Sequence, residues 1–328
     1  MGLSTTCDVG ITKSDFWQSM LRGEEEMRGF WAGLWRLADP KISLASFAAI
    51  FLGASIAARD GALDWAWLAL TTLGIFFIEV AKNASGEIFD FDSGTDLAVA
   101  PEDRSPFSGG KRVLVDRLLT RRQTVAISAV CYLFGIASGL VIVAYREPSV
   151  FWLGLVGVGC AFFYHAPPLR LSYRGLGEAA VGLCYGPLIT AGTYLVQRGT
   201  LTREVIEVSV VLGLLITAFL WVNEFPDYRA DLASGRRNLI VRLGRARAAR
   251  GFILIVAVAA VWLAALPLVG VSMGVWLGAL FIIPAAIAGG ILLRHGELTP
   301  RVVPAQAMTL LSFVLYALGS GIGLLLGR

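Results

Sequence analysis

Residues 83–96 read N-A-S-G-E-I-F-D-F-D-S-G-T-D, and they follow without a break on the apolar run 64–82. Asn83, Glu87 and Asp90 are spaced i, i+4, i+7, so a helix that continues past the apolar run sets all three on one face. Asp92 and Asp96 are expected in a loop beyond. A second stretch, N-E-F-P-D-Y-R-A-D at 223–231, follows the apolar run 204–222. There Asn223, Asp227 and Asp231 are spaced i, i+4, i+8, again one face, with Pro226 accommodated in a kink or a first turn.

The rest of the chain explains why these acids stand out. Of 328 residues, 56% are hydrophobic and only 16% charged, and the mean hydropathy is +0.69. That much apolar surface excludes a disordered chain and leaves too little charge to cover a soluble enzyme. A bilayer core of about 30 Å needs roughly 20 apolar residues in a helix. Nine such runs are present, near 42–59, 64–82, 124–145, 149–166, 178–197, 204–222, 251–272, 274–293 and 306–327. The expected fold is therefore all-α, a polytopic integral membrane protein of nine transmembrane helices. From its polar, acidic N-terminus no cleavable signal peptide is expected. Cys131, Cys160 and Cys184 fall within apolar runs, and with Cys7 they show no zinc-type spacing. A net charge of +4 gives no reason to expect nucleic acid.

Lys and Arg set the orientation. With nine spans and a cytoplasmic N-terminus, 23 of the 28 basic residues fall on the cytoplasmic side, including the charged loops 83–123 and 223–250. Removing one span would put those loops on opposite faces. Both acidic motifs are thus expected at the cytoplasmic ends of the bundle, under cap loops. Residues 1–41 are expected as a cytoplasmic segment and 42–328 as the nine-helix domain. Within 15–38, Trp17, Phe30, Trp31, Leu34 and Trp35 recur at helical spacing. An amphipathic helix lying in the interface fits this pattern, and so does a helix packed on the bundle's cytoplasmic end. Asn83 and Asn223 close the second and sixth runs, which suggests two four-helix halves and a ninth span.

Two opposed rows of carboxylates repel strongly at low dielectric, so something positive must lie between them. Hard oxygen ligands suit Mg²⁺, which typically binds one or two carboxylates together with substrate phosphates. Arg104, Lys111 and Arg112 follow the first motif, and Arg236 and Arg237 the second. Acids, magnesium and these cations together would hold a diphosphate and stabilise it as a leaving group. A single acidic loop is usually a solvated face. Two motifs at matching spacing, both at the ends of apolar spans, argue for function.

These motifs resemble the UbiA superfamily of intramembrane prenyltransferases. Asp227 and Asp231 match its second Asp-x-x-x-Asp motif. In the first motif Asp90 matches the last Asp, Glu87 stands for the preceding one, and Gly86 replaces an Asn. D-F-D-S-G-T-D (90–96), D-R-S-P-F (103–107), S-Y-R-G-L-G-E (172–178) and the run 223–244 are similar to the dihydroxynaphthoate prenyltransferases of menaquinone synthesis. The resemblance, over roughly 40–328, implies a central cavity open laterally to lipid. It implies Mg²⁺ held by Glu87, Asp90, Asp227 and Asp231, which are then the catalytic acids. Asn83, Asn223, Arg104, Lys111, Arg174 and Arg236 would contact the diphosphate of an isoprenyl donor. The expected enzyme is a transferase that joins a prenyl group to a small aromatic acceptor through a C–C bond, in quinone biosynthesis. Some relatives are terpene cyclases acting on the donor alone, and the altered first motif keeps that alternative open. A secondary transporter is a third reading, disfavoured because the midplane looks apolar while both acid rows lie at one face.

Further candidates are Tyr164, His165 and Tyr173 around the turn A-P-P-L-R-L-S-Y-R, and Glu79, Tyr185 and Tyr194 within the spans. Gly154, Gly157 and Gly159 read as sites of close helix approach.

Overall fold

The computed structural model describes residues 13–327. Helix α1 spans Lys13–Ala38, α2 Pro40–Asp60, α3 Trp65–Asp92, α4 Arg121–Tyr145 and α5 Val150–Phe163. The next span is composite: α6 (Gly177–Leu183), a π-helical turn (Cys184–Leu188) and α7 (Ile189–Arg198). Then come α8 (Arg203–Ala233), a short α9 (Leu239–Leu243) and α10 (Arg245–Ala265). A 3₁₀ stretch, Met273–Phe281, leads into α11 (Ile282–His295), and α12 runs over Thr299–Leu326. Among the described residues eight helical segments are long and apolar enough to cross a membrane, and α5 is a shorter apolar helix of 14 residues. No strand occurs among the described residues. This is the architecture lipid demands, because helices satisfy their own backbone groups.

Local chemistry sets the helix ends. Asp64 accepts from the amides of Ala66 and Trp67 to start α3, Thr120 and Gln123 form a reciprocal capping box on α4, and Thr202 caps α8. Pro187 has no N–H to give, and the π turn around it widens the helix where that bond is missing. There α6 and the π turn touch α8 backbone to backbone. A Cβ on Gly213 would sit 2.6 Å from the Gly182 carbonyl oxygen. At the centre Tyr316 is fully buried, and its hydroxyl donates to the Val208 carbonyl at 2.7 Å. That bond removes the cost of burying a phenol.

The two motif-bearing helices overshoot the bilayer. At 1.5 Å per residue, 28 residues of α3 and 31 of α8 make rods of about 42 and 46 Å. Their ends therefore project from the core, carrying the acids. Asp92, expected in a loop, is the last residue of α3, where it pairs with Arg121 at 2.8 Å. Asp96 does lie beyond the helix, and it is buried.

The loop 93–120 folds back over these ends. Lys111 pairs with Asp39 between α1 and α2, and Arg36 meets Asp116 at 2.6 Å. Thr299 at the start of α12 donates to Asp103 at 2.9 Å. The described part of α1 has one buried and one exposed face. Leu37 is buried in a cluster with Val80, Leu114 and Leu119, while Trp31 and Trp35 stay more than 60% exposed on the other side. The side chains of Phe16, Trp17, Met20 and Leu21 lie outside the described residues.

Gly154, Gly157 and Gly159 do not mediate helix approach. A Cβ at any of them would meet nothing within 4 Å.

Candidate functional site

The ends of α3 and α8 converge on a cavity of about 600 Å³ beneath the loop 93–120. Its wall carries Asn83, Glu87 and Asp90 from α3, and Asn223, Asp227 and Asp231 from α8. The helical spacings thus do bring both motifs onto one space. Between the rows lies Arg236. Its guanidinium pairs with Asp90 and stands 3.6 Å from Asp231. It is held over the Tyr173 ring, 4.7 Å from the centroid. The Tyr173 hydroxyl in turn donates to Asp90 at 3.3 Å. Asn238, which follows the turn after α8, donates to Asp231 at 2.8 Å and caps α9 through the Val241 amide.

Other acids hold the frame. Glu87 accepts from the Leu114 amide at 2.9 Å, which pins the covering loop to α3. Burial, together with the neighbouring Asp90 and Glu87 carboxylates, pushes Asp96 up to about 9, so it carries its proton at neutral pH. Asn83 donates to the Leu37 carbonyl at 2.8 Å and ties α3 to the end of α1. Lys111 and Arg104 reach the cavity wall from the loop. Arg174 does not. Its guanidinium donates instead to the Pro168 carbonyl at 2.9 Å.

Among the described residues no three His, Cys, Asp or Glu side chains are gathered into a preformed metal cage. The acids are instead spread around the cavity with lone pairs to spare. Asp227 Oδ1, Asp231 Oδ1, Glu224 Oε2 and Asn223 Oδ1 are all buried without a hydrogen-bond partner. Each such atom costs roughly 1–3 kcal/mol when left unmet. Four on one side of a cavity suit a cation that arrives with its own counter-ligands, as Mg²⁺ does on phosphates. Glu224 lies outside the motif spacing, and sequence reasoning missed it. Its one signal is an extra carboxylate directly after Asn223, at the close of the apolar run. His165 also joins the wall, 3.4 Å from Asp90.

A second cavity, of about 350 Å³, lies between α3, α4, α5 and the π turn. It is apolar, and its lining includes Leu140, Phe151 and Leu155, each more than 40% exposed. Gly139, Gly154 and Gly157 line it. The two cavities share Lys82, Tyr164, Val181 and Tyr185 as walls, so they are adjacent, with Lys82 lying over the Tyr164 ring at their boundary.

Comparison with known proteins converges on this geometry. The UbiA prenyltransferase family matches residues 46–314. The 1,4-dihydroxy-2-naphthoate octaprenyltransferase of Bacillus subtilis is 25% identical over 294 residues, covering 89% of this chain and 92% of that protein. The apo structure of a UbiA homolog from Aeropyrum pernix K1 superposes with a TM-score of 0.66 at 17% identity, over 85% of this chain and 97% of that one. A UbiA homolog from Archaeoglobus fulgidus, solved bound to GPP and Mg²⁺, gives 0.58 at 13% identity over 87% and 98%. The chain is an integral, multi-pass membrane protein and belongs to the UbiA prenyltransferase family.

Proposed function

We propose that this transferase moves a polyprenyl group from an isoprenyl diphosphate to a dihydroxynaphthoate-type aromatic acceptor, in quinone biosynthesis. The observation that carries the reading is an acid-lined cavity lying directly against an apolar cleft, the two sharing four wall residues. One molecule with a charged head and a long apolar tail fits both. Similarity to naphthoate prenyltransferases along most of the chain supports the acceptor class.

The chemistry follows from the walls. Glu87, Asp90, Asp227 and Asp231 would hold Mg²⁺, with Asn83 and Asn223 flanking them and Arg104, Lys111 and Arg236 facing the diphosphate. The ion supplies charge neutralisation for the departing diphosphate. Arg236 adds a fixed positive charge at the same place, already oriented by Asp90, Asp231 and Tyr173. The C1–O bond of the donor breaks and the electron pair leaves with the diphosphate. An electron-rich ring carbon of the acceptor bonds to C1, and that carbon's proton is then lost to restore aromaticity. Tyr164 and Tyr185 flank the boundary of the two cavities, where aromatic faces can stabilise the allylic cation. The apolar cleft excludes water that would otherwise capture it. We infer that both acidic rows face the cytoplasm, because that orientation puts 23 of 28 basic residues inside. Residues 42–328 then form the catalytic bundle and 1–41 an interfacial segment.

Purified protein with Mg²⁺, a polyprenyl diphosphate and 1,4-dihydroxy-2-naphthoate is expected to release diphosphate only when the acceptor is present. A cyclised hydrocarbon formed without acceptor would mean a terpene cyclase instead. The cleft gives a second prediction. Gly157→Trp puts an indole into open space on the cleft wall. It is expected to lower kcat/KM for an octaprenyl donor by about tenfold or more, while a two-isoprene donor changes by less than about threefold. Equal losses for both donors would show that the tail lies elsewhere.

A further inference from the structure

Gly86 sits inside α3, one residue before Glu87, where glycine costs about 1 kcal/mol relative to alanine. The packing around it accounts for that cost. A Cβ at this position would lie 2.7 Å from both Cε1 and Nδ1 of His165, closer than real Cβ atoms approach a neighbour. The imidazole therefore seats itself in a notch that only glycine leaves open. It comes from the turn after α5, is only 12% exposed, and its ring packs edge-on against Tyr164 at 4.7 Å.

The seating fixes what the ring can do. Nδ1 is pressed against the helix and has no partner. Nε2 stands 3.4 Å from Asp90 Oδ2. The opposite oxygen, Oδ1, takes Arg236 and the Tyr173 hydroxyl. Asp90 is thus bonded at Oδ1 and closely approached at Oδ2, by groups from three different segments. Among the described residues His165 alone holds Oδ2, and only a glycine at position 86 lets it reach.

We propose that His165 is a positioning residue for Asp90, seated by the Gly86 notch so that Nε2 orients the carboxylate that faces the diphosphate site. The proposal rests on the reading above that Asp90 holds a divalent ion. The 3.4 Å approach is a close polar contact rather than an aligned hydrogen bond, and outer partners that orient a ligating carboxylate typically change metal affinity 10- to 100-fold when removed.

The test measures Mn²⁺ binding to the full-length protein by electron paramagnetic resonance, in the presence of inorganic diphosphate. His165→Leu keeps the bulk but removes the donor, and its Mn²⁺ affinity is expected to fall by about 10- to 100-fold. His165→Gln returns an N–H near the position of Nε2 and is expected to stay within about threefold of the wild type, a rescue that a merely space-filling role does not predict. Gly86→Ala should push the ring off Asp90 and reproduce the His165→Leu loss. The double variant should be no weaker than either single one, since both act through the same contact. Unchanged affinity in His165→Leu, or equal losses in His165→Leu and His165→Gln, overturns the role of His165 alone, provided Asp90→Ala has lost Mn²⁺. Wild-type affinity in Asp90→Ala overturns the metal reading, and the His165 proposal falls with it.

Discussion

Asp227→Asn is expected to lower kcat/KM by about a thousandfold, roughly 4 kcal/mol of transition-state stabilisation, with normal membrane insertion and fold. The substitution keeps the volume of the side chain and removes only charge. Asp227 Oδ1 is buried with no protein partner, so no internal bond at that oxygen is lost. What is lost is one of the oxygens proposed to meet the ion on the leaving group. An amide oxygen is a weaker ligand for a hard divalent cation and cannot share its charge. The measurement is steady-state turnover of a polyprenyl diphosphate with acceptor, alongside a thermal shift in detergent. A loss below about tenfold would remove Asp227 from the site, since transition-state donors and ligands rarely matter so little.

Arg236→Met has the second largest effect, and it separates fold from chemistry. Arg236 is the one cation placed between Asp90 and Asp231 among the described residues. Both acids are buried, Asp231 at 1% exposure. Removing the guanidinium leaves two carboxylates facing each other, and breaking a buried pair from one side typically costs about 3–5 kcal/mol of stability. The variant is expected to unfold at a clearly lower temperature and to lose activity. Adding Asp90→Asn to it removes the repulsion, so Arg236→Met with Asp90→Asn should recover most of the stability and none of the activity. Recovery of both would remove Asp90 and Arg236 alike from the chemistry. High Mg²⁺ should also lift the stability of Arg236→Met, because the ion can take the same place between the rows.

How far these residues can be read from the chain depends on the physics involved. Spans are visible because twenty apolar residues in a row have few uses besides crossing a bilayer, and α2 and α4 fall where hydropathy puts them. Hydropathy alone ends the second span at residue 82, but α3 runs on to Asp92. That overshoot is legible only in the i, i+4, i+7 spacing of Asn83, Glu87 and Asp90. The same periodicity brings Asp227 and Asp231 to the cavity. Arg174 escapes it, since a loop residue carries no period, and its side chain is taken up by the Pro168 carbonyl. Gly154 and Gly157 mislead for a related reason. Glycine in an apolar helix marks either a touching neighbour or empty space, and only the packing of α5 distinguishes them. Arg236 is visible in the sequence as a nearby cation, yet its seat between the rows depends on Tyr173, which comes from a separate segment. Gly86 stands out as a departure in the first motif. Its partner His165 lies far along the chain, beyond two further helices, and no local pattern pairs the two.

The central claim is that the two acidic rows grasp a diphosphate through a divalent ion, and equilibrium binding of an isoprenyl thiolodiphosphate tests it most directly. The account predicts that Mg²⁺ tightens binding by about a hundredfold, and that both Asp90→Asn and Asp231→Asn abolish this gain while keeping the fold. Equal binding with Mg²⁺ and with a chelator, or a gain that survives in either variant, would contradict it.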